Sequence, residues 1–329
     1  MIPEYSRSNS ERRSPGSEEG TLLGNTSLHL TNMESPSQLE FNRLLIRKQA
    51  RPELLDRVGH RPVLDGVSLP TRRVLAFPRL GSMTSDLGGG PLIWRHTWKS
   101  LHFRNCNLSE LTLMSCALSD CVFEHCNLAG IGLWGTLVQD CRFEHCDMPS
   151  FGFGGINISN PKKTNRYSGM VITGGSMRGS LFSCEPVDRC KLLNCDVRSV
   201  NYKAAILTHC VFEGTLQDVI FERRSRSFPK KPPNLLLGCD FRKTRLIDVV
   251  FRNIDLDLSM LPLDKDLIVL PRGPLDWLEW GALTGHTWFA KQRADGSGTP
   301  TITRLSELRP EISDDDIRKL AEVADQTQT

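Results

Sequence analysis

Long apolar runs, net charge and tyrosine are all scarce in this 329-residue chain, which has three tyrosines, 7% aromatics and a formal charge of +3. No apolar run approaches the about 20 residues that a membrane-spanning helix needs, and the N-terminus lacks the apolar core of a signal peptide. The chain therefore reads as a soluble, cytoplasmic protein, with a secreted effector as the alternative. The small net charge hides differences between regions, and these bear on the choice among partners. Catalytic signatures are missing as well: the sequence holds no GxSxG, HExxH, Walker loop or GxGxxG. The glycine-rich pieces at 88–90 and 152–155 lack the Lys-Ser/Thr or strand-to-helix context of a phosphate loop. The expectation is a protein that is not an enzyme, with no catalytic residues, cofactor or metal.

Cysteine is plentiful, and its placement is informative. The eleven cysteines are an odd number, spaced by an internal repeat rather than by bridge geometry, which points to reduced thiols. That repeat has a period of five. From Phe103, every fifth residue is apolar: Leu108, Leu113, Leu118, Phe123, Leu128, Leu133, Val138, Phe143, Met148, Phe153 and Ile158. Two places before these centres stand small residues, namely Cys106, Cys116, Cys121, Cys126, Thr136, Cys141 and Cys146. Five matches neither the 3.6 period of a helix nor the 2.0 period of a strand. A second beat of twenty aligns Phe103 with Phe123 and Phe143, and Cys106 with Cys126 and Cys146. Four five-residue sides per turn would stack such trios in columns, while backbone groups pair with the turns above and below.

The pattern resembles the pentapeptide-repeat family. That resemblance implies a mainly β fold: a right-handed parallel β-helix of quadrilateral cross-section, each central residue pointing inward. Leu101, Leu111, Ile131, Phe151 and Ile156 stand where the family has a small residue, which makes this a degenerate member.

Four regions follow from the beat. Residues 1–38 are rich in Ser, Asn, Glu and Gly and read as a disordered tail. Residues 39–100 read as an N-terminal cap: a short helix over Leu39–Ile46, a second helical segment from Pro52 through Leu54, Leu55 and Val58 to Gly59, and Trp94 and Trp98 over the first coil. The β-helix is assigned to 101–261, interrupted by basic insertions at 159–170 and 222–235. Its centres resume at Ile172, Met177, Phe182, Val187, Leu192, Val197, Tyr202, Leu207 and Phe212, shift phase to Phe221, and return at Leu236, Phe241, Leu246, Phe251 and Leu256. Residues 262–329 read as a C-terminal cap, with Trp277, Trp280 and Trp288 plugging the core and a terminal helix N-capped by Ser313.

Charge varies along the chain: 101–158 carry 2 basic and 6 acidic residues, whereas 159–260 carry 17 and 10. The motif EHC at 124–126 and 144–146 raises zinc, but inward Cys126 and Cys146 and outward His125 and His145 cannot converge on one ion. Glu124, His125, Glu144 and His145 instead form exposed columns, a candidate partner-binding stripe. Lys162, Lys163, Arg223, Arg224, Arg226, Lys230 and Lys231 form basic insertions that could hold phosphates of nucleic acid or anionic lipid. The resemblance also raises DNA mimicry on type II topoisomerases, and effector ubiquitin ligases. The first conflicts with a net-basic, twice-interrupted rod, and the second with the lack of any cysteine after Cys239. The expected function is a non-enzymatic scaffold that binds a protein partner through β-helix faces and basic loops.

Overall fold

One backbone conformation, repeated every fifth residue, turns this chain into a coil. Arg95, Ser100, Asn105, Glu110, Ser115, Asp120 and His125 all have φ between 51° and 61°. This left-handed region costs a non-glycine residue roughly 1–2 kcal/mol. Hydrogen bonds to the next turn offset it: Asn105 N donates to Glu124 O at 3.0 Å, Asp120 N to Gln139 O at 3.0 Å and His125 N to Glu144 O at 2.9 Å. Each corner turns the chain so that the next short strand starts a new side.

The structure, a computed structural model, describes residues 35–47, 52–69, 91–154, 165–183, 186–203, 205–222, 236–252, 254, 257–264, 266–270 and 301–304. Three parallel sheets form three sides of the coil. The first sheet contains strands centred on Phe103, Phe123, Phe143, Ile172, Leu192 and Phe212. The second is centred on Trp98, Leu118, Val138, Tyr167, Val187 and Leu207, and the third on Ile93, Leu113, Leu133, Phe153, Phe182, Tyr202, Phe221 and Phe251. Isolated bridges from Ser68 through Asn107, Asn127, Asp147 and Ser176 to Asp196 make the fourth side. All the centres point inward and are buried. Phe103, Phe123 and Phe143 stack with centroids 4.8 and 4.9 Å apart and ring planes 4° from parallel. The twenty-residue beat is therefore a physical contact.

The position two before each centre is a donor position as much as a small one. Cys126 Sγ donates to Phe103 O at 3.4 Å and Cys146 Sγ to Phe123 O at 3.3 Å, each one coil back. Thr136, Ser180 and Thr244 make the same reach, to Leu113 O at 2.9 Å, Met148 O at 3.0 Å and Phe212 O at 2.7 Å. The large exceptions Leu111, Ile131 and Phe151 are also buried, stacked at the corner that leads into the third sheet. Ile156 lies outside the described residues.

Several boundaries differ from the sequence reading. The beat extends back to Ile93 and Trp98, which pair in register with Leu113 and Leu118, so the coil begins before residue 101. Trp98 is an inward centre rather than a cover. The chain rejoins the coil at Asn165, because Tyr167 takes the next inward place after Phe153 and pairs with Val138. Residues 165–170 are thus coil and not insertion. Flanking Arg166 and Ser168 gave that strand the look of a loop.

At the N-terminal end, helix α1 (Pro36–Arg47) starts three residues earlier than expected, since Ser35 Oγ accepts the Gln38 N–H at 3.1 Å as an N-cap. Its Phe41 meets Phe103 edge-on at 6.3 Å. The second expected helix is only a 3-10 turn at Pro52–Leu54. Gly59, with φ of 62°, makes a two-residue turn with His60 between β1 (Arg57–Val58) and β2 (Arg61–Asp65). Strand β2 then pairs in parallel with His102–Arg104, covering the starting edge of the first sheet. Toward the C-terminus, Leu267–Leu270 pairs antiparallel with Thr301–Arg304. Leu256, Ile158, the three C-terminal tryptophans, the terminal helix and residues 1–34 lie outside the described residues.

Candidate functional site

The candidate stripe occupies the corner that follows the first sheet. Phe123 and Phe143 fix the strands from within, and the residues two places later, His125 and His145, adopt the left-handed corner conformation that throws their side chains outward. Both imidazoles are exposed and stack at 5.3 Å, 13° from parallel. The stack has built ends. Asn105 precedes it at the corner below, hydrogen-bonded to Asp65 at 3.1 Å. Gly174 follows it above, where a Cβ would lie 2.5 Å from His145 Nδ1. Beside the stack, Glu124 and Glu144 are register partners and half-buried. Glu124 meets Nε2 of the buried His102 at 2.9 Å. Next to it, Arg104 holds Asp65 at 2.8 Å and keeps that carboxyl below its ordinary range. Geometry thus joins Glu124, His125, Glu144 and His145 into one patch two coils tall.

Cys126 and Cys146 follow these histidines in sequence but face the opposite way. Their thiols are buried and donate to carbonyls of the coil wall, so thiol and imidazole do not converge. Among the described residues no group of three or more His, Cys, Asp or Glu side chains is arranged to hold a metal ion.

Lys162, Lys163, Arg223, Arg224, Arg226, Lys230 and Lys231 lie outside the described residues, but the places where their segments leave and rejoin the coil are defined. The described residues run to Gly154 and resume at Asn165, then run to Glu222 and resume at Leu236. Phe153 and Phe221 are third-sheet centres. Tyr167 and Leu236 occupy second-sheet places, the latter shown by Leu237 N donating to Leu207 O at 3.1 Å. Both insertions therefore open at the same corner, three coils apart, or about 14 Å at ~4.8 Å per coil. That corner is diagonal to the His125–His145 corner. The sequence-derived surface is thus two surfaces, with the anchors of the basic segments on one edge and the Glu–His column on the other.

A third polar cluster went unread in the sequence. Asp120, at the corner after the second sheet, receives Ser100 Oγ at 2.8 Å, His60 Nε2 at 3.0 Å and the Arg61 guanidinium. Arg61 Nε also donates to Asp120 O at 3.0 Å. The His60 contact, with Ser100 and Arg61 behind it, holds the Asp120 carboxyl far below the ordinary carboxylate range. No motif links residues sixty apart, so only the fold could reveal this latch. Its role is to fasten the β1–β2 hairpin to the coil.

Residues 96–162 match the family model described as a pentapeptide repeat region. Among solved structures the chain is similar to trypsin-treated QnrB1, a plasmid-mediated fluoroquinolone resistance protein, at 14% identity over 48% of this chain and 83% of that one, with a TM-score of 0.28. It is also similar to HetL, a pentapeptide repeat protein involved in heterocyst differentiation regulation from the cyanobacterium Nostoc, at 10% identity over 59% of this chain and 86% of HetL, with a TM-score of 0.28. Scores this low carry no argument about function. No curated protein matches the sequence. Among the described residues no helix is long and apolar enough to cross a membrane.

Proposed function

Starting from a chain that carries a pentapeptide-repeat region at 96–162, we propose that it is a non-catalytic interaction protein, a stiff scaffold that presents two separate surfaces to a protein partner. The observation that carries this reading is the shared corner of the two insertions. Two basic segments, 155–164 with Lys162 and Lys163 and 223–235 with three arginines and two lysines, join the coil at one edge. Cations on segments that join the coil at one edge would favour an acidic partner surface and raise its association rate. The opposite corner, with Glu124 and Glu144 beside the histidine stack, supplies a second contact of different charge. Buried thiols that donate to wall carbonyls, and histidines that face outward away from them, support binding rather than turnover.

A photo-cross-linking side chain placed at Ser227 and, separately, at Ser199 on the corner after the fourth side tests the assignment. Capture of one acidic protein from position 227 but not 199, abolished by R223E, R224E and R226E together, is the expected result. Equal capture at both positions would count against the shared edge as the contact. Direct phosphate binding would show instead as DNA retention that falls steeply with salt, because each neutralised phosphate releases counterions. That result would replace the protein partner with a nucleic acid.

A further inference from the structure

The interior of the coil carries columns of buried sulfur side chains. At the corner leading into the first sheet, the position two before each centre is occupied on six successive coils by sulfur: Cys121, Cys141, Met170, Cys190, Cys210 and Cys239. Backbone bonds fix the stacking. Arg142 N donates to Cys121 O, Val171 N to Cys141 O, Lys191 N to Met170 O, Val211 N to Cys190 O and Asp240 N to Cys210 O, all at 2.8–2.9 Å. The next corner repeats the arrangement with Cys106, Cys126 and Cys146. Cys121 and Cys141, then Cys190, Cys210 and Cys239, and at the next corner Cys106, Cys126 and Cys146, thus stack on adjacent coils, all buried.

Spacing decides what such columns can do. Aromatic rings stacked one coil apart sit 4.1–5.0 Å from each other, around the ~4.8 Å that separates adjacent strands. Side chains stacked in register keep about that separation at Cβ, whereas a disulfide needs Cβ atoms about 3.5–4.5 Å apart. Neighbouring thiols are therefore poorly placed to oxidise together. Taking the zinc–thiolate length of ~2.3 Å as the scale of a bond between a d10 dication and sulfur, a linear sulfur–metal–sulfur bridge spans about 4.6 Å. That length fits the repeat.

We propose that these columns form receptors for a soft, two-coordinate d10 dication of the mercury(II) type, one ion between two thiols on adjacent coils. Two S–H bonds break, two metal–sulfur bonds form, and two protons leave to solvent, with no change of oxidation state. The product is neutral, which the apolar interior requires. Monovalent copper between two thiolates would leave a net negative charge buried. Zinc wants four ligands in a tetrahedron, and among the described residues no set of even three converges. Met170 divides the longer column, which leaves three independent places: Cys121–Cys141, one within Cys190–Cys210–Cys239, and one within Cys106–Cys126–Cys146.

The test uses the full-length protein, mercury(II) chloride and an excess of a small competing thiol that strips singly held ions. Metal is counted by mass spectrometry after desalting, and thermal unfolding is followed in parallel. The expected result is three ions per chain, two protons released per ion, and a raised melting temperature, because the ion binds the folded state. The triple variant C126S, C141S and C210S removes a member of every pair. It should fold, since hydroxyls already occupy this position at Thr136, Ser180 and Thr244, and it should retain no mercury. Uptake near one ion per cysteine, a lowered melting temperature, no uptake, or unchanged uptake in the triple variant would each overturn the proposal.

Discussion

Gly175 shows how little room the corner leaves for side-chain matter. Its φ is 72°, and a Cβ there would lie 2.0 Å from the Cys146 carbonyl oxygen, a backbone atom that cannot step aside. G175A should destabilise the fold by about 2–4 kcal/mol, combining left-handed strain with displacement of the neighbouring coil. Gly66 has φ of 62° but nothing within 4 Å of such a Cβ, so G66A isolates the strain alone, about 1–2 kcal/mol. Chemical denaturation of the two variants side by side checks this; equal losses would mean that contact with Cys146 is not limiting. Phe123 represents the other side of the wall. It is buried and stacked against rings above and below. F123A should cost about 3–5 kcal/mol, with a lower denaturant midpoint.

Among the elements, the β1–β2 hairpin has a pH dependence that can be derived. Asp120 gains partners on folding, so its folded pKa lies below the unfolded value near 3.8. The contribution is therefore fully present above about pH 4 and disappears as pH falls through the depressed folded value. Because Asp120 is about a third exposed, with 36% of its side chain accessible, screening limits the effect to about 1 kcal/mol. D120N should lower stability at pH 7 and reduce its loss between pH 4 and pH 2. Urea midpoints for both proteins across that range provide the measurement, and parallel acid profiles would show that the latch contributes nothing.

The elements also separate what was legible from what was not. The inward columns could be read because one fixed spacing covers strand, corner and strand, and hydrophobic burial enforces it at every step. Trp98 and Tyr167 were missed although they obey the same spacing, since their polar flanks resemble loops. Gly59 was read as a helix stop, whereas it turns a hairpin, because both uses exploit the same positive φ. For the site, the His125–His145 stack followed from the twenty-residue beat. The Asp120 latch, and the division of the proposed surface between opposite corners, depend on which side of the coil each segment reaches, and linear spacing does not encode that across insertions.

At the scale of the whole molecule, each coil touches only the coils beside it, so stability is close to a sum of nearest-neighbour terms. Amide exchange should be slowest in the middle coils, for example at Val138 and Phe143, and faster toward Phe251; uniform protection would indicate a single cooperative block. The Glu–His corner and the insertion corner ride on the same stacked walls, so a substitution inside the coil that loosens one should loosen the other. G175A is the variant in which to look for it.

Strand β2 lies along Phe103's strand as an extra rung whose chain runs into an antiparallel partner, β1, instead of another coil. Remove residues 1–65, and the first sheet would offer bare amide and carbonyl groups to the terminal coil of a second molecule, at the same repeat and in the same direction. Head-to-tail addition of that kind does not close on itself. The shortened chain should grow into filaments that sediment and lengthen with concentration, while the intact chain stays discrete. The hairpin, on this view, is what stops a self-templating surface from polymerising.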